Sequence, residues 1–265
     1  MTGAGGLLAL ALLSPYLVML LTALKPAGEL RITPPRLTPM RWQPGNFLDV
    51  LGDPGFQSWL MSSLVVAGAS TLIVVLAATP ASYYVARHRF PGRSAFLFVV
   101  LVTQMFSPTA LVVGLYREFF ELGLVNTYAA LILTNAAFNL AFAIWILRAF
   151  FASIPKEIEE AAAVDGCGRV GTLVRVVLPL SLPGLVTAVV FAFIAAWNEY
   201  IVALTLMSDP AGKPLTVGIT SYVTAYVQHW NLLFAASTLA IVPVVALFAL
   251  IEPYLVAGLT AGSLK

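Results

Sequence analysis

The sequence predicts an all-α, polytopic membrane protein with six transmembrane helices in a single domain over residues 1–265. Of its residues, 60% are hydrophobic and 10% are charged, and the mean hydropathy is +0.93. In soluble domains about a quarter of residues are charged. Six apolar stretches meet the requirement of roughly 20 mainly apolar residues for a helix that crosses a bilayer. No internal repeat or low-complexity region divides the chain.

Polar connections of different lengths separate the six predicted spans. They run approximately from Leu7 to Leu24, Trp59 to Ala86, Ser94 to Tyr116, Leu124 to Leu147, Pro183 to Met207 and Leu232 to Ile251. Only the fifth contains an acidic or basic side chain, Glu199. Four prolines inside these stretches are predicted to kink the helices rather than end them, because neighbouring helices can satisfy the freed carbonyls. These are Pro15, Pro80, Pro108 and Pro243.

The N-terminal stretch has a second interpretation, a cleaved signal peptide. It lacks a basic segment before it and a convincing small-residue cleavage site after it, so a transmembrane helix is favoured. The opening Met-Thr-Gly-Ala-Gly-Gly is short and uncharged for a cytoplasmic start, which leaves a start further upstream open. With both termini inside, eight Lys and Arg lie on the cytoplasmic side and six outside. This small bias places residues 153–179 in the cytoplasm.

Several function classes are disfavoured by composition. A net charge of +2, without interleaved basic and aromatic residues, predicts no nucleic-acid partner. The single Cys167 excludes an internal disulfide, and only His88 and His229 are available as imidazole ligands. An ion-coupled carrier usually has more intramembrane carboxylates or related halves. An intramembrane hydrolase needs a nucleophile with its base, or an H-E-x-x-H helix, and the chain has neither.

The polar segment between the fourth and fifth stretches carries strong local signals. Ser153 is predicted to cap a short helix with Pro155 in its first turn. Acidic residues that follow suit the positive N-terminus of that helix, and Asp165-Gly166 predicts its end. A second, amphipathic helix is predicted for Val170 to Leu178, before Pro179 and Pro183 return the chain to the membrane. The acidic residues are Glu157, Glu159 and Glu160, and the apolar side of the second helix consists of Val170, Leu173, Val174 and Val177.

The spacing in this segment resembles the EAA loop of ABC importer permeases, written E-A-A, x3, G, x9, I, x, L-P. Here it reads Glu160-Ala161-Ala162, then Gly166, Val176 and Leu178-Pro179, with valine in place of isoleucine. The stretches "RHRFPGR", "AAWNEYIVALTLM" and "YLVAGLTAGSLK" are similar to the second permease subunit of maltose-type carbohydrate importers. The resemblance covers about residues 7 to 265, and the missing basic leader is its main departure.

The resemblance implies the type I ABC importer permease fold, with residues 153–179 as the coupling element that seats in a groove of an ATPase. The ATPase-coupling residues it implies are Glu160, Ala161, Ala162, Asp165, Gly166, Val176, Leu178 and Pro179. The chain has no G-x-x-x-x-G-K-[ST] loop, so ATP is expected on separate subunits, and no cofactor or enzymatic activity is expected here.

The resemblance also implies partners and a location. The expected partners are a related permease subunit in a heterodimer, two ABC ATPase subunits, an extracytoplasmic solute-binding protein, a sugar and membrane lipid. The location implied is the cytoplasmic (inner) membrane of a prokaryote. A polyol or glycerol phosphate remains the alternative substrate.

Trp197, Asn198, Glu199 and Tyr200 form a second candidate site. An ionisable group inside a span usually faces the bundle interior or an aqueous path. The four side chains would suit the hydroxyls and apolar faces of a sugar, as part of the substrate path. The alternative, a structural hydrogen bond or ion pair of Glu199, is favoured because importer specificity can reside in the partner or in the binding protein.

Overall fold

The protein is predominantly helical in the part that its computed structural model describes, residues 2–226 and 228–260. Outside the helices these residues form only an isolated antiparallel bridge between Val223 and Gln228. The α-helices are α1 Thr2–Ala23, α2 Gly45–Gly52, α3 Pro54–Arg87, α4 Arg93–Thr103, α5 Pro108–Glu121, α6 Tyr128–Ser153, α7 Lys156–Val164, α8 Arg169–Thr172, α9 Leu178–Leu180, α10 Leu182–Trp197, α11 Ile201–Leu206, α12 Leu215–Gly218 and α13 Trp230–Thr260. A π-helical turn, Leu173–Val177, joins α8 to α9.

All six predicted apolar stretches are helical, and three of them are single helices long and apolar enough to cross a membrane. In the described residues these are Pro54–Arg87, Tyr128–Ser153 and Trp230–Glu252. The first stretch lies in α1, where Ala11–Ala23 forms a shorter apolar helix. The third and fifth stretches are each interrupted, so the prediction of six uninterrupted helices is wrong for these two.

The third stretch is a pair of helices, α4 and α5, that meet at 95°. Pro108 is the first residue of α5, and Ser107 before it is extended, with ψ at 134°. A proline disfavours the helical conformation of the residue that precedes it. Pro108 therefore separates two helices and does not kink one, contrary to the prediction. Pro15, Pro80 and Pro243 lie inside helices, as predicted.

The fifth stretch is interrupted at its predicted substrate-path residues. Helix α10 ends at Trp197, and α11 begins at Ile201. At its other end α10 meets the segment Arg169–Leu180 at 81°. The chain therefore changes direction on entering this stretch and loses its helical hydrogen bonding before leaving it.

The chain forms two compact units. The residues up to Ser63 and Asp209–Val245 form one, and Leu64–Ser208 with the residues from Ala246 onwards form the other. The core of the second unit contains many alanines, among them Ala78 on α3 and Ala188 on α10. Small residues are needed because α6 and α10 pack closely. A Cβ added to Gly184 on α10 would lie only 2.3 Å from Cγ of Phe150 on α6. Small side chains let the backbones of membrane helices approach each other.

The first unit is held by buried polar contacts. Asn46 is 1% exposed, and its amide donates to the carbonyls of Ala23 and Lys25 at 2.7 and 2.9 Å. Asn231 donates in turn to Oδ1 of Asn46 at 3.0 Å. These bonds connect the end of α1, the start of α2 and the start of α13.

An aromatic contact completes this unit. Trp59 and Tyr222 meet edge to face, with ring centroids 5.8 Å apart. The Tyr222 hydroxyl donates to Oδ2 of Asp53 at 2.6 Å. Burial, and then this bond to a carboxylate, raise the pKa of Tyr222 above its ordinary value. Tyr222 is therefore a neutral hydrogen-bond donor at physiological pH.

Candidate functional site

The EAA loop, residues 153–179, begins with a helix whose start differs from the prediction. Ser153 is the last residue of α6, and its hydroxyl donates to the carbonyl of Phe150 at 2.7 Å. Pro155 occupies the N-cap position with extended backbone, and α7 begins at Lys156 without a side-chain cap. The serine cannot cap α7 because it lies two positions before the N-cap. Acidic residues do occupy the first turn, as predicted.

Helix α7 ends in the turn that the Asp165-Gly166 pair predicts. Gly166 has a φ of +83°. The backbone nitrogen of Cys167 donates to the carbonyl of Ala162 at 2.9 Å, and that of Gly166 donates to Ala163 at 3.1 Å. This pair of bonds around a left-handed residue is a Schellman motif. It turns the chain sharply, so α7 and α8 follow each other closely.

The second predicted helix is present but is not a regular α-helix. The chain passes from α8 through the π-helical turn into α9. Its predicted apolar side is only partly covered: Val177 is buried, whereas Val170 and Val174 are 75% and 54% exposed. An exposed apolar strip thus remains along the loop in this single chain.

The motif residues divide into exposed and packed positions. Glu160, Ala161, Asp165, Gly166 and Pro179 are exposed. Ala162 is buried, and Val176 and Leu178 are half-buried. The loop therefore presents a carboxylate, a methyl group and a glycine turn outward, while the second alanine packs inward. A surface of this kind allows close approach of another protein's backbone.

A polar contact that was not predicted from the sequence lies behind this surface. Nε of Arg87, the last residue of α3, lies 2.5 Å from Oε1 of Glu159 on α7. The hydroxyl of Tyr83, one turn earlier on α3, donates to Oε2 of Glu159 at 2.7 Å. Nη1 of Arg87 also donates to the carbonyl of Ile154 at 3.0 Å. The i, i+4 spacing of Tyr83 and Arg87 puts them on one face, but nothing local indicates a partner 76 positions away from Tyr83.

A cleft of about 290 Å³ lies beside this contact. It is lined by Tyr83, Arg87, His88, Lys156, Glu159, Glu160, Ala163 and Arg169. The cleft is lined by both the exposed motif residue Glu160 and the half-buried Glu159 next to it. The two adjacent carboxylates thus face different surroundings, one outward and one towards α3.

The second candidate site is the break between α10 and α11. The carboxylate of Glu199 accepts from the backbone nitrogens of Val202 at 2.7 Å and Ala203 at 2.8 Å. Both N–H groups lie in the first turn of α11, where backbone donors have no acceptor within the helix and a negative charge is stabilising. The structure therefore shows the structural hydrogen bonds that were the alternative to a substrate-path role for Glu199. The predicted continuous helix is wrong because this side chain starts a new one.

The other three residues of this site do not share one environment. Trp197 is buried and stacks on Phe193, with ring centroids 5.6 Å apart. Tyr200 is half-buried, and Asn198 is exposed. The four residues thus lie in one short segment, but the amide of Asn198 is exposed and the indole of Trp197 is buried.

Comparison with known proteins identifies a family and several relatives. The family model for the binding-protein-dependent transport system inner membrane component matches residues 78–260. The chain is 36% identical over 253 residues to the sulfoquinovosyl glycerol transport system permease protein SmoH of Agrobacterium fabrum, which covers 96% of this chain and 89% of that protein. It is 38% identical to the trehalose/maltose transport system permease protein MalG of Thermococcus litoralis, over 83% of this chain and 80% of that one.

A solved structure has the same fold. It is a chain from the crystal structure of a bacterial ABC transporter involved in the import of the acidic polysaccharide alginate. The TM-score is 0.82 at 22% identity, and the match covers 96% of this chain and 94% of the other. At this identity the likeness establishes the fold alone.

Proposed function

This chain belongs to the family of binding-protein-dependent transport system inner membrane components, and from that premise we propose that it is the permease subunit of an ATP-driven importer for a sugar or oligosaccharide. It is a multi-pass inner-membrane protein. The observation that carries the substrate class is the likeness, over most of the chain, to permeases named for sulfoquinovosyl glycerol and for trehalose and maltose. A polyol or glycerol phosphate is the alternative substrate.

The EAA loop supplies the coupling step of this proposal. Its exposed residues Glu160, Ala161 and Gly166 form a surface on which a separate ATPase subunit docks, with Asp165 in the turn between them. Val176, Leu178 and Pro179 carry movement of that surface into α10, because they connect α8 to it through one bend. ATP is bound and hydrolysed by two such partner subunits, and this chain contributes no covalent chemistry.

Transport requires a second wall for the translocation path. A related permease subunit provides it in a heterodimer, and an extracytoplasmic binding protein delivers the sugar. Nucleotide-driven movement of the ATPases then alternates the pair between inward-open and outward-open arrangements. In this chain Asn198 is the residue of the helix break with an exposed amide, and it is the first candidate to contact sugar hydroxyls.

Uptake by the complete transporter in proteoliposomes tests this function. Radiolabelled trehalose, maltose, sorbitol and glycerol 3-phosphate are each supplied with the purified binding protein, with and without ATP inside. The proposal predicts saccharide uptake that requires ATP. Uptake of sorbitol or glycerol 3-phosphate alone would establish the alternative, and uptake driven by an ion gradient without ATP would contradict both.

A further inference from the structure

Both oxygens of the Glu159 carboxylate are engaged by the last turn of α3. Arg87 holds Oε1, and Tyr83 donates to Oε2. The Arg87 and Glu159 side chains are 8% and 15% exposed. An ion pair on one oxygen and a hydrogen bond on the other restrict the orientation of this carboxylate, and the bond from Tyr83 is the directional one of the two.

The same group of residues also holds the connection that leads into α7. The second nitrogen of the Arg87 guanidinium donates to Ile154, which lies between α6 and α7. The Tyr83 ring meets Phe151 of α6 edge to face, at 5.8 Å between centroids. The end of α3 therefore contacts the last turn of α6, the connection and α7 at once.

Burial explains why this contact positions the helix more than it stabilises the fold. Desolvation of two charges offsets much of their mutual attraction, so a buried ion pair contributes little net stability. Removing one partner is different, because it leaves the other charge buried without compensation. The arrangement therefore has a strong preference for a single geometry of α7 against α3.

Side-chain contacts, and not the neighbouring chain, connect α3 to the EAA loop. Helix α7 is joined covalently to α6 before it and to α8 after it, but α3 is remote in sequence. In the part of the chain that the structure describes, Arg87 and Tyr83 provide the polar connection between α3 and the EAA loop. With them, the last turn of the longest described helix moves with the docking surface.

We propose that Arg87, Tyr83 and Glu159 form a latch that makes α3 follow the EAA loop, so that ATP hydrolysis on the partner subunits moves a second part of the permease. This inference rests on the proposed function. Glu159 is a positioning residue in it, distinct from its exposed neighbour Glu160. Loss of the latch therefore separates ATP hydrolysis from transport.

The first test measures ATP hydrolysed per solute transported by the complete transporter in proteoliposomes. Glu159→Gln and Arg87→Gln each remove the ion pair and are expected to raise this ratio about fivefold or more, the lower range of site-to-site coupling. The charge swap Arg87→Glu with Glu159→Arg is expected to restore part of the coupling. Glu157→Gln, an exposed position on the same helix, is the matched control. An unchanged ratio in both single variants would overturn the latch.

A variant that fails to assemble with the ATPase is replaced by Tyr83→Phe, which keeps the ion pair and removes only the hydroxyl bond. A raised ratio in Tyr83→Phe supports the latch, and a ratio equal to that of the parent protein overturns it.

A second test is independent of the transported solute, so it separates the latch from the sugar assignment. Spin labels are placed at Arg89 and Val164, both exposed, after Cys167→Ser removes the single native cysteine. The latch predicts a narrow distance distribution with and without ATP, and a broad one after Glu159→Gln. An equally narrow distribution in Glu159→Gln would overturn it, whatever the substrate.

Discussion

Glu199 accepts a hydrogen bond from the backbone nitrogen of Val202 at 2.7 Å, and its second oxygen accepts from Ala203. This carboxylate thereby caps α11 and separates it from α10. Glu199→Ala removes both acceptors and is expected to lower the stability of the complex by about 1 kcal/mol. Glu199→Gln keeps one acceptor and should lose less.

Thermal unfolding of the purified complex measures this difference, with exposed Glu121→Ala as control. A purely structural role predicts that Glu199→Gln leaves the KM for uptake unchanged. A changed KM at unchanged stability would instead show that the carboxylate contacts the solute.

Gly166→Ala is expected to weaken coupling. Gly166 has a φ of +83°, where a Cβ costs about 1–2 kcal/mol, so the Schellman turn would shift together with the surface proposed to dock the ATPase. Gly168→Ala is the matched control, because Gly168 is exposed two residues further on, with a φ of −70°. Co-purification of the ATPase should fall for Gly166→Ala and stay at the parent level for Gly168→Ala. Equal co-purification of both would contradict this role of the turn.

Gly184→Ala is expected to destabilise the contact between α6 and α10. The added Cβ would lie 2.3 Å from Cγ of Phe150, and overpacking of this kind costs about 1–3 kcal/mol. Thermal unfolding should show the loss, whereas Gly114→Ala, which has open space around it, should not. Combining Gly184→Ala with Phe150→Ala, which removes the clashing Cγ and the ring, should recover part of the loss, and strict additivity of the two changes would argue against this contact.

Asn46→Ala should destabilise the first compact unit, which consists of the residues up to Ser63 and Asp209–Val245. It leaves the carbonyls of Ala23 and Lys25 without their amide donors and removes the acceptor of Asn231. Buried groups left unsatisfied cost about 1–3 kcal/mol each. Exposed Asn198→Ala is the control for amide removal. Unfolding midpoints that fall equally in both variants would show that burial of Asn46 is not the cause.

Much of the fold could be predicted because lipid allows few backbone structures. Apolar stretches of the required length had to be helical, and all six contain helix, two of them with a break. The break at Asn198–Tyr200 could not be found this way, since a single Glu in an apolar stretch is compatible with both a continuous helix and a capped one. The distinction depends on two backbone bonds that only the structure shows.

The candidate site was predictable where its signals are local. The Asp165-Gly166 turn follows from glycine's freedom at positive φ, and it was predicted correctly. The capping role of Ser153 was wrong because Pro155 occupies the N-cap position itself. The Arg87–Glu159 pair joins segments far apart in sequence, and neither residue type distinguishes it from ordinary surface charges.

Crosslinking between the EAA loop and the ATPase tests the central claim most directly. A photoreactive side chain at Ala161 should crosslink to the ATPase subunit in the complete transporter. This experiment leaves the native Cys167 in place. The same group at exposed Leu122, outside the loop, should not. A crosslinked ATPase at Ala161 alone is the predicted result. Labelling of position 161 by a membrane-impermeant reagent from the extracytoplasmic side, with no ATPase adduct, would contradict the account.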